Sequence, residues 1–360
     1  MVRERYMKAD ILTFQFPHNY GAMLQAYALK NYIQGIGCET KILPYYPAHF
    51  RQDYSISPLE PGISLRHRVS NTAHYIERKT QAILFEKFKQ TYLYGGKTEE
   101  QEIPEKIFSA MSREDTVIFG SDQIWNTVLS RDDDVYYGAH IQARKISYAA
   151  SLGTKQANAE QQRFMKEQLP QFEAISVREP GTQAIVEQAT GCHAEVVCDP
   201  VFLLSPEKWR ELEVPVRRGK KYALLYLLKE DAELVEKARE EAVAQQVELL
   251  EIHPTLYMRH RKAEQLKNVG PQEFLYLVDH AAFVCTNSFH CVAFSILFCK
   301  KLLHRPNSLS PERTMALLKK MKVEFPENEM IFRDLQNCDT EDMNAYIKQS
   351  KVFLEAALKN

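Results

Sequence analysis

Lys8-Ala9-Asp10-Ile11-Leu12-Thr13-Phe14, then Pro17-His18-Asn19-Tyr20-Gly21, then the run from Ala22 to Ile33 is the stretch that decides the architecture. A short β run ends at Phe14 and a polar turn follows. Leu24, Ala28, Leu29, Tyr32 and Ile33 then share one helical face. Strand, loop and helix in that order open a Rossmann-type unit. The turn lacks the GxGxxG spacing, so the dinucleotide fingerprint is missing.

Outward from this start, Glu39 to Leu43 reads as the second strand. From Pro44 to Pro104 the pattern loosens: Pro47, Pro58, Pro61 and Gly62 break it, and a basic helical stretch runs from Leu65 to Lys89. This predicts an insertion at about 44–104 carrying one or two helices. Alternation then returns, with strands expected at 116–119, 145–150, 174–177 and 195–198, and helices at 157–169 and after Pro180-Gly181. A connector from Asp199 to Gly219 separates this from a second alternating series: strands at 221–228, 247–252, 282–286 and 301–304, helices at 231–245, 271–280 and 289–298. The expected division is 1–205, 206–335, and a terminal helix within 336–360 that packs back on the first unit. Alternating strands and helices imply parallel sheets, so the fold class is α/β with two Rossmann-like domains facing a cleft. Such sheets bind ligands at the carboxyl ends of their strands.

At 360 residues the chain is long enough for two cores. A formal net charge of -1 gives no overall field to recruit nucleic acid. The seven cysteines show no CxxC spacing, which argues against a zinc or redox motif and suits buried thiols in a reducing compartment. Met1 to Asp10 has no apolar core of a signal peptide, and no 18-residue apolar run occurs, so a cytoplasmic address is expected.

Strand ends supply the candidate chemistry. His290 follows the run Phe283-Val284-Cys285-Thr286 and sits at a helix start beside Asn287, Ser288 and Phe289. The helix dipole there favours an anion, and an imidazole can bind phosphate or move a proton. Ser288 equally fits a helix cap. Arg178 ends the strand Ile175-Ser176-Val177, where a guanidinium suits bidentate binding of carboxylate or phosphate, or a surface pair with Glu179. Gly120-Ser121-Asp122 follows another strand, and Asp122 could bind a sugar hydroxyl or cap the next turn. Asn19, Tyr20 and Gly21 could touch a ligand from the first turn. Lys301, His304, Arg305 and Arg313 could add positive charge. Asp132-Asp133-Asp134 reads as a solvated acidic turn rather than a metal site.

Taken in order, these segments resemble the polysaccharide pyruvyl transferase family. The resemblance rests on Thr13-Phe14 with Asn19 through Leu29, Gly120-Ser121-Asp122-Gln123-Ile124-Trp125-Asn126, Lys145 through Ser151, Ile175 through Glu179, Cys198-Asp199-Pro200, and Thr286-Asn287-Ser288-Phe289-His290. It spans about Ile11 to Arg313. It implies a fold similar to GT-B glycosyltransferases and transfer of a pyruvyl group from phosphoenolpyruvate to a sugar diol, giving a ketal. By this resemblance Arg178 and His290 hold the donor and carry the chemistry. Asn19, Tyr20, Gly21, Ser121, Asp122, Asp199, Ser288, Phe289 and Arg313 line the substrate. Phosphoenolpyruvate is the donor, with no cofactor and no metal. The partner is a sugar or lipid-linked saccharide. Members carry Arg-Leu-His where this chain has Ser288-Phe289-His290, so one donor-site arginine is missing. A nucleotide-sugar glycosyltransferase and a non-catalytic sugar-binding protein remain the alternatives. The basic stretch with Arg66, Arg68, Arg78, Lys79, Lys87 and Lys89 could touch an anionic membrane, but a solvated helical face is the favoured reading.

Overall fold

The computed structural model describes residues 8–54, 57, 65, 69, 75–252, 263–266, 268–306, 312–323 and 329–359. Strand β1 (Ala9–Leu12) pairs in parallel with β2 (Thr116–Phe119), and β2 with β3 (Arg144–Ser147). Single bridges extend this sheet on both sides. Ile11 meets Ile42, and Ala174 and Val177 join Ile146 and Ala150 to the pair β4 (Ser176–Val177) and β5 (Glu195–Val196). The expected strand at 39–43 is therefore present as bridges alone, through Ala9 N to Glu39 O and Leu43 N to Ile11 O.

A second sheet has the order β11-β10-β9-β6-β7-β8. Its strands are β6 (Tyr222–Tyr226), β7 (Glu248–Ile252), β8 (Glu264–Leu266), β9 (Val284–Thr286), β10 (Lys301–His304) and β11 (Ile331–Asp334). All pairings are parallel except β10 with β11. Every residue of β6 is buried, as expected of a central strand covered by helices on both faces.

Strand order reverses beside β1 in the first sheet and between β6 and β9 in the second. At such switch points the loops leaving neighbouring strands part and open a crevice at the carboxyl ends. The helix Tyr20–Gly35 starts at the first switch point, with the Asn19 side chain accepting from Gly21 N and Ala22 N. The helix Phe289–Leu297 starts at the second, capped by Ser288.

The two crevices face each other because the halves share a core. Tyr20 stacks on Phe274 at 4.4 Å and meets Tyr226 edge-on, while Trp209 of the connector packs against Tyr27 and Phe294. The terminal helix Glu341–Lys359 returns across the first half. Ser350 Oγ accepts from Cys198 N at 2.9 Å, and Tyr32 donates to Glu355 at 2.7 Å. Within 44–104 the described helices are Ala48–Tyr54 and Tyr75–Phe88, the latter running into a π-helical turn, Lys89–Tyr94.

Candidate active site

Loops from the carboxyl ends of β1, β2, β4, β5, β9 and β10 converge on Arg178. Its side chain is buried. Nη1 donates to Asp199 Oδ2 at 2.8 Å, Nε to Glu179 Oε1 at 3.0 Å, and Nη2 stands 3.9 Å from Asp122. Glu179 also accepts from Ser151 and Thr182, which fix its carboxylate in place. The Arg178 guanidinium lies 4.9 Å from the centre of the Phe289 ring, and that of Arg313 lies 4.6 Å from the same ring. Arg313 Nε is 3.1 Å from Glu179 Oε1.

His290 closes the group, with Nε2 3.4 Å from Asp199 Oδ2. Its imidazole rests on Gly21: a Cβ at that position would stand 2.0 Å from Nδ1. Gly21 is thus what lets the second half's histidine sit on the first half's opening helix. Gly120 answers a similar need, since at φ +122° its Cβ would stand 2.3 Å from Tyr148 O.

Two buried guanidiniums beside each other need compensating charge. Burial opposes the charge on Arg178, but Glu179, Asp199 and Asp122 more than reverse this and hold its pKa above the ordinary value. Burial would raise Asp199, yet His290 and Arg178 hold its carboxyl well below the usual range. Arg313 is less well served: burial and the neighbouring Arg178 pull it down to about 10. Arg178 Nη2, Arg313 Nε and His290 Nε2 are all buried without a well-aligned hydrogen bond. A small cavity opens here, lined by Arg178, Glu179, Asp199, Phe289, Arg313 and Lys320 among others. Unspent cationic donors at a cavity suit an anionic ligand.

The structure brings together Gly21, Asp122, Arg178, Asp199, Phe289, His290 and Arg313. It turns other expected residues elsewhere. Asn19 is committed to capping its helix. Tyr20 is buried between the halves, with its hydroxyl on Val269 O at 3.0 Å. Ser121 donates to Ala149 O at 2.8 Å and is fully buried. Ser288 caps its helix from a buried position. His304 is a core residue between Thr286 O and Thr314, and burial lowers it to about 4, so it brings no charge to the cleft. Arg305 pairs with Asp231 and Glu233 instead. Lys301 opens β10, at the end of the strand away from the cleft. Asp133 is not a solvated acid: it receives the Tyr45 hydroxyl at 2.8 Å, and burial pushes it up to about 6.

Glu179, Lys320 and Tyr346 join the site without having been anticipated. The signal for Glu179 was its place between Arg178 and the helix-opening Pro180. No motif marks the other two. Elsewhere, ligand atoms of Glu213, Asp279 and His280 lie within 4.8 Å of one another, but Arg210 already binds the Asp279 carboxylate at 2.8 Å. Of the basic stretch proposed to meet a membrane, Arg66, Arg68 and the side chain of Arg78 lie outside the described residues. Lys89 is buried against Glu86 and Glu100. No described helix is long and apolar enough to cross a membrane.

The motif-bearing loops that build this site fall inside a wider match, in which the model of the polysaccharide pyruvyl transferase family covers residues 19–322. The chain belongs to that family. It is therefore a transferase, and the family implies a sugar acceptor. No curated protein matches the chain. Among solved structures it is similar to a putative UDP-N-acetylglucosamine 2-epimerase from Listeria monocytogenes, at 11% identity and TM-score 0.48, covering 97% of this chain and 88% of that one. It is also similar to the UDP-GlcNAc 2-epimerase of Methanocaldococcus jannaschii, at 11% identity and TM-score 0.45, covering 98% and 100%. A third is the E. coli heptosyltransferase WaaC with ADP, at 12% identity and TM-score 0.41, covering 98% and 99%. In this member of the pyruvyl transferase family, Arg313 approaches Phe289 from the helix Glu312–Lys320.

Proposed function

We propose that this chain transfers a pyruvyl group from phosphoenolpyruvate to two hydroxyls of a surface-polysaccharide sugar or its lipid-linked precursor. The observation that carries this reading is the pair of buried guanidiniums of Arg178 and Arg313 at one cavity, with Arg178 Nη2 free of any hydrogen bond and His290 beside them. The donor bears a phosphate and a carboxylate, and two guanidiniums of fixed geometry suit two such anions. Arg313 supplies the second cation from a different element, in place of the arginine absent at Ser288.

Protonation of the methylene carbon makes it a methyl group and leaves the central carbon electrophilic. One sugar hydroxyl adds there and gives up its proton. The carbon–oxygen bond to phosphate breaks, and the second hydroxyl closes the ketal as it loses its own proton. One proton is taken up by carbon and one leaves with phosphate, so the two hydroxyl protons balance. His290 moves the protons, and the arginines hold charge on the departing phosphate. His290→Ala should lower turnover on the order of 10²–10⁴-fold with the fold intact.

A thermal-shift titration tests the donor. Phosphoenolpyruvate should raise the melting midpoint of the wild type, as any ligand of the native state does. The shift should vanish in Arg313→Met, which leaves the Arg178 ion pairs intact. Stabilisation by a nucleoside diphosphate with none by phosphoenolpyruvate would replace this reading with glycosyl transfer.

A further inference from the structure

The Asp199 carboxylate is clamped at both oxygens. Oδ1 accepts from Val201 N at 3.1 Å, and Oδ2 accepts from Arg178 Nη1 at 2.8 Å. It sits between the end of β5 and the turn Pro200–Leu203, with no exposed side-chain surface. A carboxylate so held cannot rotate away from a neighbour, and its fixed neighbour is the imidazole of His290, at 3.4 Å from Nε2. On its other side that ring lies against Gly21, with Nδ1 nearest the glycine. The two ring nitrogens therefore face different surroundings: Nε2 a buried carboxylate, Nδ1 the start of the helix Tyr20–Gly35 at the mouth of the first crevice.

Which nitrogen of a histidine carries the proton is set by the partner of the other nitrogen. Neutralising Arg178 does not require Asp199 to touch the histidine, because Glu179 already meets that guanidinium at 3.0 Å. The contact with Nε2 is thus a second duty.

We infer that Asp199 is a positioning residue: it holds His290 as the Nε2–H tautomer and fixes the ring against Gly21, beside the donor cavity. Asp199 lines the donor cavity, but its carboxylate oxygens are taken by Val201 N, Arg178 and His290. The tautomer assignment stands on geometry alone. Its use in turnover rests on the pyruvyl-transfer reading.

The test is nitrogen NMR of the full chain labelled at histidine, with the His290 signals identified by their loss in His290→Gln. At mildly alkaline pH the wild type should show His290 as the Nε2–H tautomer, and Asp199→Asn should lose that preference. Glu179→Gln, which removes the other carboxylate from Arg178, should leave the tautomer unmoved. With phosphoenolpyruvate and an acceptor, kcat of Asp199→Asn should fall on the order of 10²-fold or more. The inference is overturned by an Nδ1–H tautomer in the wild type, by an unchanged tautomer in Asp199→Asn, or by an equal change in Glu179→Gln. If Asp199→Asn does not fold, the wild-type spectrum still decides. Should the tautomer behave as stated while phosphoenolpyruvate neither binds nor turns over, the positioning role stands and the donor assignment falls.

Discussion

Gly21 links the two halves through one missing methyl group. Its backbone is helical, so alanine there carries no conformational strain and by propensity alone would favour the helix by about 0.5–1 kcal/mol. The imidazole of His290 must then move, because the new Cβ would stand 2.0 Å from Nδ1. Gly21→Ala should therefore keep its melting midpoint while turnover falls about 100-fold, the usual cost of an ångström-scale misplacement of a reacting group. Full turnover in that variant would remove the His290–Gly21 contact from the mechanism. The residue scale also shows what a sequence can and cannot say of a site. Arg178, His290 and Asp199 were legible because each follows closely on the carboxyl end of a strand, where the connecting segments border the crevice. Asn19 and Tyr20 stood in the same loop but turn away, one to its own helix and one to a core reaching Phe274. Residue type alone does not distinguish a polar side chain facing a ligand from one facing its own backbone.

At the scale of elements, the central strands were readable as buried apolar runs between helical periods. β8 and β11 were not. Each is a short edge strand carrying polar residues, Glu264 and Gln265 in one and Arg333 and Asp334 in the other, and neither alternates long enough to give a period. The helix Glu341–Lys359 was legible as a helix, and its docking follows from a buried face of Met343, Tyr346, Ser350, Leu354, Ala357 and Leu358. Tyr346 brings that helix to the wall of the donor cavity. Leu354 has no exposed surface, so Leu354→Ala should cost about 2–5 kcal/mol in denaturant unfolding. Val352, 60% exposed on the opposite face, should tolerate alanine with little change. Equal effects at the two positions would mean that the helix is not docked as described.

Over the whole molecule the halves are joined by one hydrophobic cluster, which includes Ile11 and Leu24 from the first half, Trp209 from the connector, and Tyr226, Phe274 and Phe294 from the second half. Contacts between residues more than 200 positions apart leave no local pattern, so the joint was invisible where its components were not. The connector also carries a titrating group. Glu213 has a largely buried side chain with Oε1 unpartnered, and burial followed by the nearby Asp279 pushes it up to about 7, against the pull of Arg210 and Lys300. His280 lies 3.8 Å from it. The folded state thus keeps a proton that the unfolded chain gives up near pH 4.3. A raised pKa contributes stability that is complete below the unfolded value and is lost as pH rises through the folded one. Glu213→Gln keeps the shape without the ionisation. Its melting midpoint should accordingly match the wild type near pH 4, gain on it as the pH climbs toward about 7, and hold a constant lead above that. A lead that is the same at every pH would show that the Glu213 carboxyl is not strained by its place in the connector.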